Sequence, residues 1–314
     1  QRQQVILFIN RRGYSPMTIC RECGTIATCP RCSVGMTYHK DTKQHLCHYC
    51  NYRATPKRQC EKCGSHYLQL AGIGTQKVEE EIIAAYPQAR VRRLDLDSSR
   101  RKGVQKTIIK DMMNGNIDIL IGTQMVAKGL DFPAVSLVGV IDADSMLNLP
   151  DFRAAERCFQ LLVQAAGRAG RSDTPGEVVI QTYQPDHPVI LLAAEQDYPS
   201  FYRYELSRRQ LLQYPPFTHI LRIVISARNE RLLKNYVQEF AVFIEELLGA
   251  NEGEFWILGP APCPIQKINK VFRYQILLKS SSLPLLQSAN EYIYLRKRPQ
   301  GIRLEQDLNP IATM

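Results

Sequence analysis

Eight of the ten cysteines fall as four Cys-x-x-Cys pairs within 44 residues: Cys20/Cys23, Cys29/Cys32, Cys47/Cys50 and Cys60/Cys63. Two cysteines separated by two residues can turn both sulfurs toward one tetrahedral ion, and a zinc site closed by thiolates takes two such knuckles. Four knuckles therefore make two complete sites with no ligand left over. The other reading of dense cysteines is disulfides, which suit small secreted scaffolds. The chain has no signal-peptide pattern at Gln1-Arg2-Gln3-Gln4 and no apolar run long enough to cross a bilayer, so zinc and a cytoplasmic setting are expected, with no membrane partner. His39, His45, His48 and His66 lie nearby, but eight thiolates suffice without them. Cys158 and Cys263 stand alone in apolar or proline-rich surroundings and read as small buried hydrophobes.

The pairing follows from chain geometry. Between Cys32 and Cys47 lie 14 residues, Ser33 to Leu46, which read as strand, turn (Lys40 to Lys43) and strand. Once that ribbon closes, its ends meet, and the flanking knuckles sit side by side. A nested arrangement is therefore expected: Cys20, Cys23, Cys60 and Cys63 share one zinc, and Cys29, Cys32, Cys47 and Cys50 the other. The sequential alternative would leave only Gly24 to Thr28 between two knuckles on one ion.

The elements that carry these residues alternate between strand and helix. Val5 to Ile9 is a short apolar run suited to a buried parallel strand. Past the cysteines come a strand at 67–71, a helix from its cap Thr75 to about Tyr86, with Glu79 to Glu81 in its early turns, and a strand at 91–96. A helix at 104–113 and strands at 117–121 and 135–141 follow, then a helix at 154–166 and a strand at 177–182. That order predicts an α/β fold whose parallel sheet is covered by helices on both faces, interrupted by the cysteine segment. Beyond Pro185 a helix is expected over 189–209. The boundary Tyr214-Pro215-Pro216-Phe217 then leads into a small α+β domain. Its strands are placed at 220–227 and 272–279 and its helices at 232–248 and 283–292, with turns at Gly259 to Pro264 and an extended piece at 301–304. The domains expected are thus 1–18 with 71–200, 19–70, and 201–314.

The 314 residues, 45% hydrophobic and 22% charged, are those of a soluble globular protein of two or three domains. The formal charge of +10 makes a polyanionic partner plausible, and the cations are clustered: eight lie among the cysteines, and Arg90, Arg92, Arg93, Arg100, Arg101 and Lys102 form a second group. A solvated surface is the plainer alternative.

Two further segments carry chemistry. Ile119 to Pro133 delivers a strand, the turn Gly122-Thr123-Gln124, a short helix and the loop Gly129-Leu130-Asp131-Phe132-Pro133. Ligands of such sheets gather at the carboxyl ends of strands, where Thr123 can meet a phosphate. Gln164-Ala165-Ala166-Gly167-Arg168-Ala169-Gly170-Arg171 sets two guanidinium groups about one turn apart at a helix end, which suits a transferring phosphoryl group.

In this order on this fold, the two segments resemble motifs V and VI of a superfamily 2 helicase. With Phe8 to Pro16, the four knuckles and Pro150 to Arg157, the chain resembles the C-terminal half of the PriA family, the primosomal protein N′ helicases of replication restart. The match is looser over the last domain, where Tyr214 to Phe217 and Leu258 to Pro262 are landmarks. The resemblance implies a second RecA-like lobe, a two-zinc insertion and a small C-terminal domain of an ATP-dependent 3′–5′ DNA helicase. It implies Arg168 and Arg171 as arginine fingers, Gly129, Asp131 and Gln164 at ATP, and Thr123 and Gln124 on the DNA backbone. It further implies two Zn2+, ATP with Mg2+, and as partners branched and single-stranded DNA, the single-stranded-DNA-binding protein and primosome components. A Gly-x-x-x-x-Gly-Lys-Thr/Ser loop is absent, and Asp142 and Asp144 lie between motifs V and VI, where a magnesium site does not belong. The chain is therefore expected to be a fragment, inactive alone. The competing class is a zinc-dependent nucleic-acid-binding or scaffold protein with a degenerate helicase lobe.

Overall fold

Val5, Leu7 and Ile9 point to one face of a parallel sheet, and Gln4, Ile6 and Phe8 to the other. The strand that carries them is the middle one of five. The structure is a computed structural model that describes residues 3–9, 17–23, 25–30, 35–39, 42–47, 52–71, 75–94, 103–123, 132–169, 176–249 and 254–313. In chain order, β1 (Gln4–Ile9) is followed by β2 (Met17–Cys20), β3 (Thr37–His39), β4 (Gln44–Leu46), β5 (Arg53–Ala54) and β6 (Leu68–Ala71). Then come α1 (Thr75–Ala85), β7 (Val91–Leu94), α2 (Val104–Met113), β8 (Ile119–Gly122), β9 (Val135–Ile141), α3 (Asp144–Leu147), α4 (Ala154–Ala166) and β10 (Glu177–Ile180). The remainder is α5 (Pro188–Ala194), α6 (Tyr198–Leu211), β11 (His219–Ala227), α7 (Glu230–Gly249), β12 (Phe255–Ile268), β13 (Val271–Ser280), α8 (Leu283–Leu295) and β14 (Arg303–Leu308).

The described residues divide into two units. The first comprises 1–17, 70–149 and 153–203, and the second 18–69, 150–152 and 204–314. In the first, the sheet order is β10-β9-β1-β8-β7, and every neighbouring pair is parallel. One face packs Leu7, Ile9, Ile119 and Ile121 against Val78 and Ile82 of α1. On the other, Ile6, Phe8, Leu120, Val138 and Val140 are all buried. There the Gln4 amide donates to the carbonyls of Met112 (2.8 Å) at the end of α2 and Ile117 (2.6 Å). A Cβ at Gly139 would meet Leu7 Cδ2 at 2.8 Å, so a side chain there would have to displace the end of Leu7.

The cysteine segment makes a separate five-stranded sheet, β5-β4-β3-β2-β6, whose β3–β4 hairpin is the expected ribbon. One expectation fails here. The alternation of elements puts β6 in the parallel sheet, but it pairs at the edge of the cysteine sheet. A four-residue apolar strand carries no signal for which sheet will take it.

From β11 onward the order β-α-β-β-α-β folds into an antiparallel sheet, β12-β13-β11-β14, in the split β-α-β arrangement. Leu221, Ile223 and Ile225 pack against Val237, Phe240 and Ile244 of α7 and Leu286, Ala289 and Ile293 of α8. The Gly259–Pro264 stretch, expected as turns, lies inside the 14-residue edge strand β12. An edge strand tolerates proline, and the ladder takes up the misfit in register shifts at Leu258/Ala261 and Pro262/Lys267. The single helix expected over 189–209 is two helices. Pro199 cannot sit inside a continuous helix, so the chain breaks with Gln196 at φ 56° and restarts with Asp197 Oδ1 accepting from Ser200 N–H at 3.0 Å. Glu79 to Glu81 fall after the first turn of α1, where Glu81 pairs with Lys77 (3.6 Å) and Glu79 with Arg93 (3.6 Å). Among the described residues no helix is long and apolar enough to cross a membrane.

Candidate functional site

The outer knuckles converge. The sulfurs of Cys20, Cys23, Cys60 and Cys63 all lie within 4.8 Å of one another. Cys20 Sγ to Cys63 Sγ is 3.6 Å, and Cys23 Sγ to Cys60 Sγ is 3.5 Å. Sulfurs about 2.3 Å from a central zinc stand about 3.8 Å apart on the edges of a tetrahedron, so these four have the spacing of a metal-ready set. Backbone geometry brings them there. Cys20 N–H donates to Thr25 O (2.9 Å) and Cys60 N–H to Ser65 O (2.8 Å), closing two equivalent turns. Lys62 N–H reaches Cys60 Sγ at 3.4 Å.

The electrostatics point the same way. Bonding to the Thr25 side chain (Sγ to Oγ1 3.1 Å), backed by Thr25 N–H, holds the Cys23 pKa down to about 6. Amides of Cys23 and Glu22 lower that of Cys20. The Ser65 amide pulls the Cys63 pKa down, but the Cys23 sulfur, lost hydration and the Cys20 and Cys60 sulfurs outweigh it and push it up to about 12. Four sulfurs this close cannot all ionise by themselves, and a divalent cation is what would let them. The donor set therefore fits a thiophilic metal ion.

Of the inner four, Cys29 and Cys47 are buried in one cluster with Met36, while Cys32 and Cys50 lie outside the described residues. His45 is buried beside Thr18 Oγ1 (2.8 Å), and His66 is exposed with Nδ1 3.2 Å from Arg58 O. Neither belongs to the four-sulfur cluster.

Thr123 is buried directly after β8, at the carboxyl end of a strand flanked by β1 and β7. Gln164 is exposed on α4. Arg168 is half-buried in the turn after that helix, its N–H bonded to Ala165 O at 3.0 Å. Gln124, Gly129, Asp131 and Arg171 lie outside the described residues. Several charged groups do structural work that their sequence positions did not reveal. Asp144 is buried and accepts from Thr182 Oγ1 (3.0 Å) and Tyr183 N–H (2.9 Å), tying the end of β9 to the end of β10. Arg90, counted among the basic cluster, forks onto Asp118 (2.9 and 2.6 Å) and reaches Gly115 O (2.6 Å). Only the chain reversal between β7 and β8 brings those partners together.

Residues 210–311 match the family described as primosomal protein N C-terminal domain, and residues 39–173 match helicase conserved C-terminal domain. The chain is 40% identical to replication restart protein PriA of Bacillus subtilis (strain 168), over 99% of its own length and 39% of that protein. The chain belongs to the PriA family. The PriA protein of Synechocystis sp. (strain ATCC 27184 / PCC 6803 / Kazusa) is 42% identical, over 99% of this chain and 38% of that protein. For the PriA protein of Haemophilus influenzae the figures are 42%, 98% and 42%. The chain thus spans about two fifths of the length of these relatives.

Proposed function

We propose that this chain supplies the second motor lobe, a two-zinc module and the C-terminal domain of an ATP-dependent DNA helicase that moves 3′ to 5′ in replication restart. The observation that carries this is a 40% identity to a replication restart protein over 99% of the chain, coupled with Arg168 in the turn after α4 in the unit built on a five-stranded parallel sheet. Arg168 and Arg171 offer permanently charged, planar groups to the phosphoryl oxygens of ATP, whose transfer is helped by charge stabilisation rather than covalent chemistry. Gly129, Asp131 and Gln164 line the nucleotide side. Thr123, at the head of the segment after β8, and Gln124 follow the DNA backbone. ATP and Mg2+ sit between this lobe and a first lobe carrying the phosphate loop, so the 314 residues alone do not hydrolyse ATP.

Cys20, Cys23, Cys60 and Cys63 hold one Zn2+, and Cys29, Cys32, Cys47 and Cys50 the other. Bound zinc ties the knuckles and takes up the thiolate charge. Residues 1–18 and 71–200 form the motor lobe. The module, residues 19–70, and the domain at 201–314 meet branched and single-stranded DNA, the single-stranded-DNA-binding protein and primosome components. In the full-length protein, Arg168→Ala is expected to lower DNA-stimulated ATPase by about 10³-fold or more, with DNA affinity within about twofold. Wild-type turnover, or equal loss of both, refutes the assignment.

A further inference from the structure

The two outer knuckles repeat one pattern, Cys20-Arg21-Glu22-Cys23-Gly24-Thr25 and Cys60-Glu61-Lys62-Cys63-Gly64-Ser65. Their sulfurs are not equally protected. Cys20 is 1% and Cys60 6% exposed, Cys23 is half-buried, and Cys63 is exposed. The neighbouring groups differ too. Thr25 Oγ1 stands 3.1 Å from Cys23 Sγ, and Cys60 Sγ accepts from Lys62 N–H at 3.4 Å. At the position equivalent to Thr25, the Ser65 hydroxyl is committed elsewhere and accepts from Tyr67 N–H at 3.0 Å. A Cβ added at Gly64 would meet nothing within 4 Å, so the chain beside Cys63 is bare as well.

We propose that Cys63 is an oxidation site, the point at which a peroxide attacks the zinc-loaded outer cluster, with Cys20 as its resolving partner. The proposal rests on the reading of Cys20, Cys23, Cys60 and Cys63 as a zinc site. Oxidation of cysteine follows thiolate character and access. Metal binding requires all four sulfurs as thiolates, so access decides among them. The Cys63 thiolate attacks one peroxide oxygen: an S–O bond forms as the O–O bond breaks, and the second oxygen leaves as hydroxide. The Cys20 thiolate, 3.6 Å away, then attacks the Cys63 sulfur and displaces the sulfenic oxygen as a second hydroxide. Two thiolates lose two electrons. One hydrogen peroxide takes them up and, with two protons from solvent, becomes two waters. The product bridges the two knuckles, where a disulfide between Cys60 and Cys63 would stay within one. Left with two thiolates, the site no longer closes around its ion.

The test is stepwise oxidation of the zinc-loaded full-length protein by hydrogen peroxide, with zinc release followed by a chromogenic chelator and disulfides placed by peptide mapping. The Cys20–Cys63 bridge should be the first among the outer four, and one zinc equivalent should leave as it forms, with Cys23 and Cys60 still reduced. A first bridge within a knuckle or between Cys23 and Cys60 overturns the proposal, as does a Cys20–Cys63 bridge that releases no zinc. Cys63→His keeps four ligands, since three cysteines and a histidine also close a zinc site. It should slow the oxidation of Cys20 about tenfold or more, and oxidation at the wild-type rate overturns the proposal. Should the histidine variant fail to bind zinc, the order of oxidation in the unsubstituted protein still decides. Metal analysis of Cys60→Ser separates the two readings. If that variant keeps both equivalents, the zinc reading falls and the oxidation site with it. If it loses one and peroxide begins elsewhere in the outer four, only the oxidation site fails.

Discussion

Replacing Cys60 by serine removes one thiolate from the four-sulfur cluster while leaving the fold of its turn intact. Cys60 is buried, 3.5 Å from Cys23 Sγ, and its N–H still bonds Ser65 O. A serine hydroxyl stays protonated at neutral pH and is a poor ligand for zinc. A structural zinc site contributes about 10–16 kcal/mol of apparent binding energy at pH 7, so one ligand in four is worth about 3 kcal/mol. At about 1.4 kcal/mol per decade, that is about a hundredfold weaker binding. Chelator competition followed by metal analysis should find one of two zinc equivalents released in Cys60→Ser and the other retained. The decisive comparison is between double variants. Nested pairing makes Cys20→Ser with Cys60→Ser cost one equivalent and Cys20→Ser with Cys29→Ser cost two; sequential pairing reverses both results. The reversed pattern would refute the argument from hairpin closure, and full zinc retention in Cys60→Ser would refute the site.

Gln4 is buried with both amide hydrogens committed to Met112 O and Ile117 O, so Gln4→Leu removes a donor from each and leaves Met112 O the Gly115 N–H (3.1 Å). It should cost about 1–3 kcal/mol in denaturant unfolding, and an unchanged midpoint would mean water reaches Ile117 O. Burial pushes the Cys158 thiol up to about 12 and raises that of Cys263. At pH 8 iodoacetamide should therefore spare both in the native protein while labelling the chelator-stripped knuckles by mass spectrometry. Rapid labelling of Cys158 would contradict the packing of α4. Asp144→Ala removes the acceptor shared by Thr182 and Tyr183 and should raise hydrogen exchange at 181–184 before it affects β8. Equal loosening of both strands would show that Asp144 is not the tie.

Much of this was legible in the sequence, for physical reasons that also mark where legibility ends. β1, β8 and β9 declare themselves because strands buried on both faces read as near-continuous apolar runs. The outer cysteines declare themselves because Cys-x-x-Cys is a local geometry and a hairpin brings the ends of its flanks together. β6 was legible as a strand and illegible in its partner, since pairing is decided by what the rest of the chain leaves open. β12 was hidden by its prolines, which report a turn or an edge strand with equal force. Arg90, Gln4 and Phe152 were illegible in role because their partners lie far along the chain. Phe152 meets Tyr214, and Gln4 bonds carbonyls 108 and 113 residues away.

The charge of the cysteine segment shows why composition alone misleads about its partner. Eight Lys and Arg against three Asp and Glu lie between Met17 and Gln69, a formal excess of five. With two divalent ions bound as proposed, eight thiolates would carry four negative charges in sum, which would cut that excess to one. A metal-loaded module of nearly balanced charge cannot draw DNA by its total field. Any binding of phosphate must come from cations that no neighbour neutralises. Lys57 is already paired with Glu61. Arg53, Arg58 and Lys62 are exposed. If this module meets DNA as proposed, replacing these three should reduce the salt dependence of DNA binding by about one unit of slope for each phosphate that is no longer neutralised, whereas replacing Lys57 should change it less. A uniform effect across all four would return the explanation to net charge.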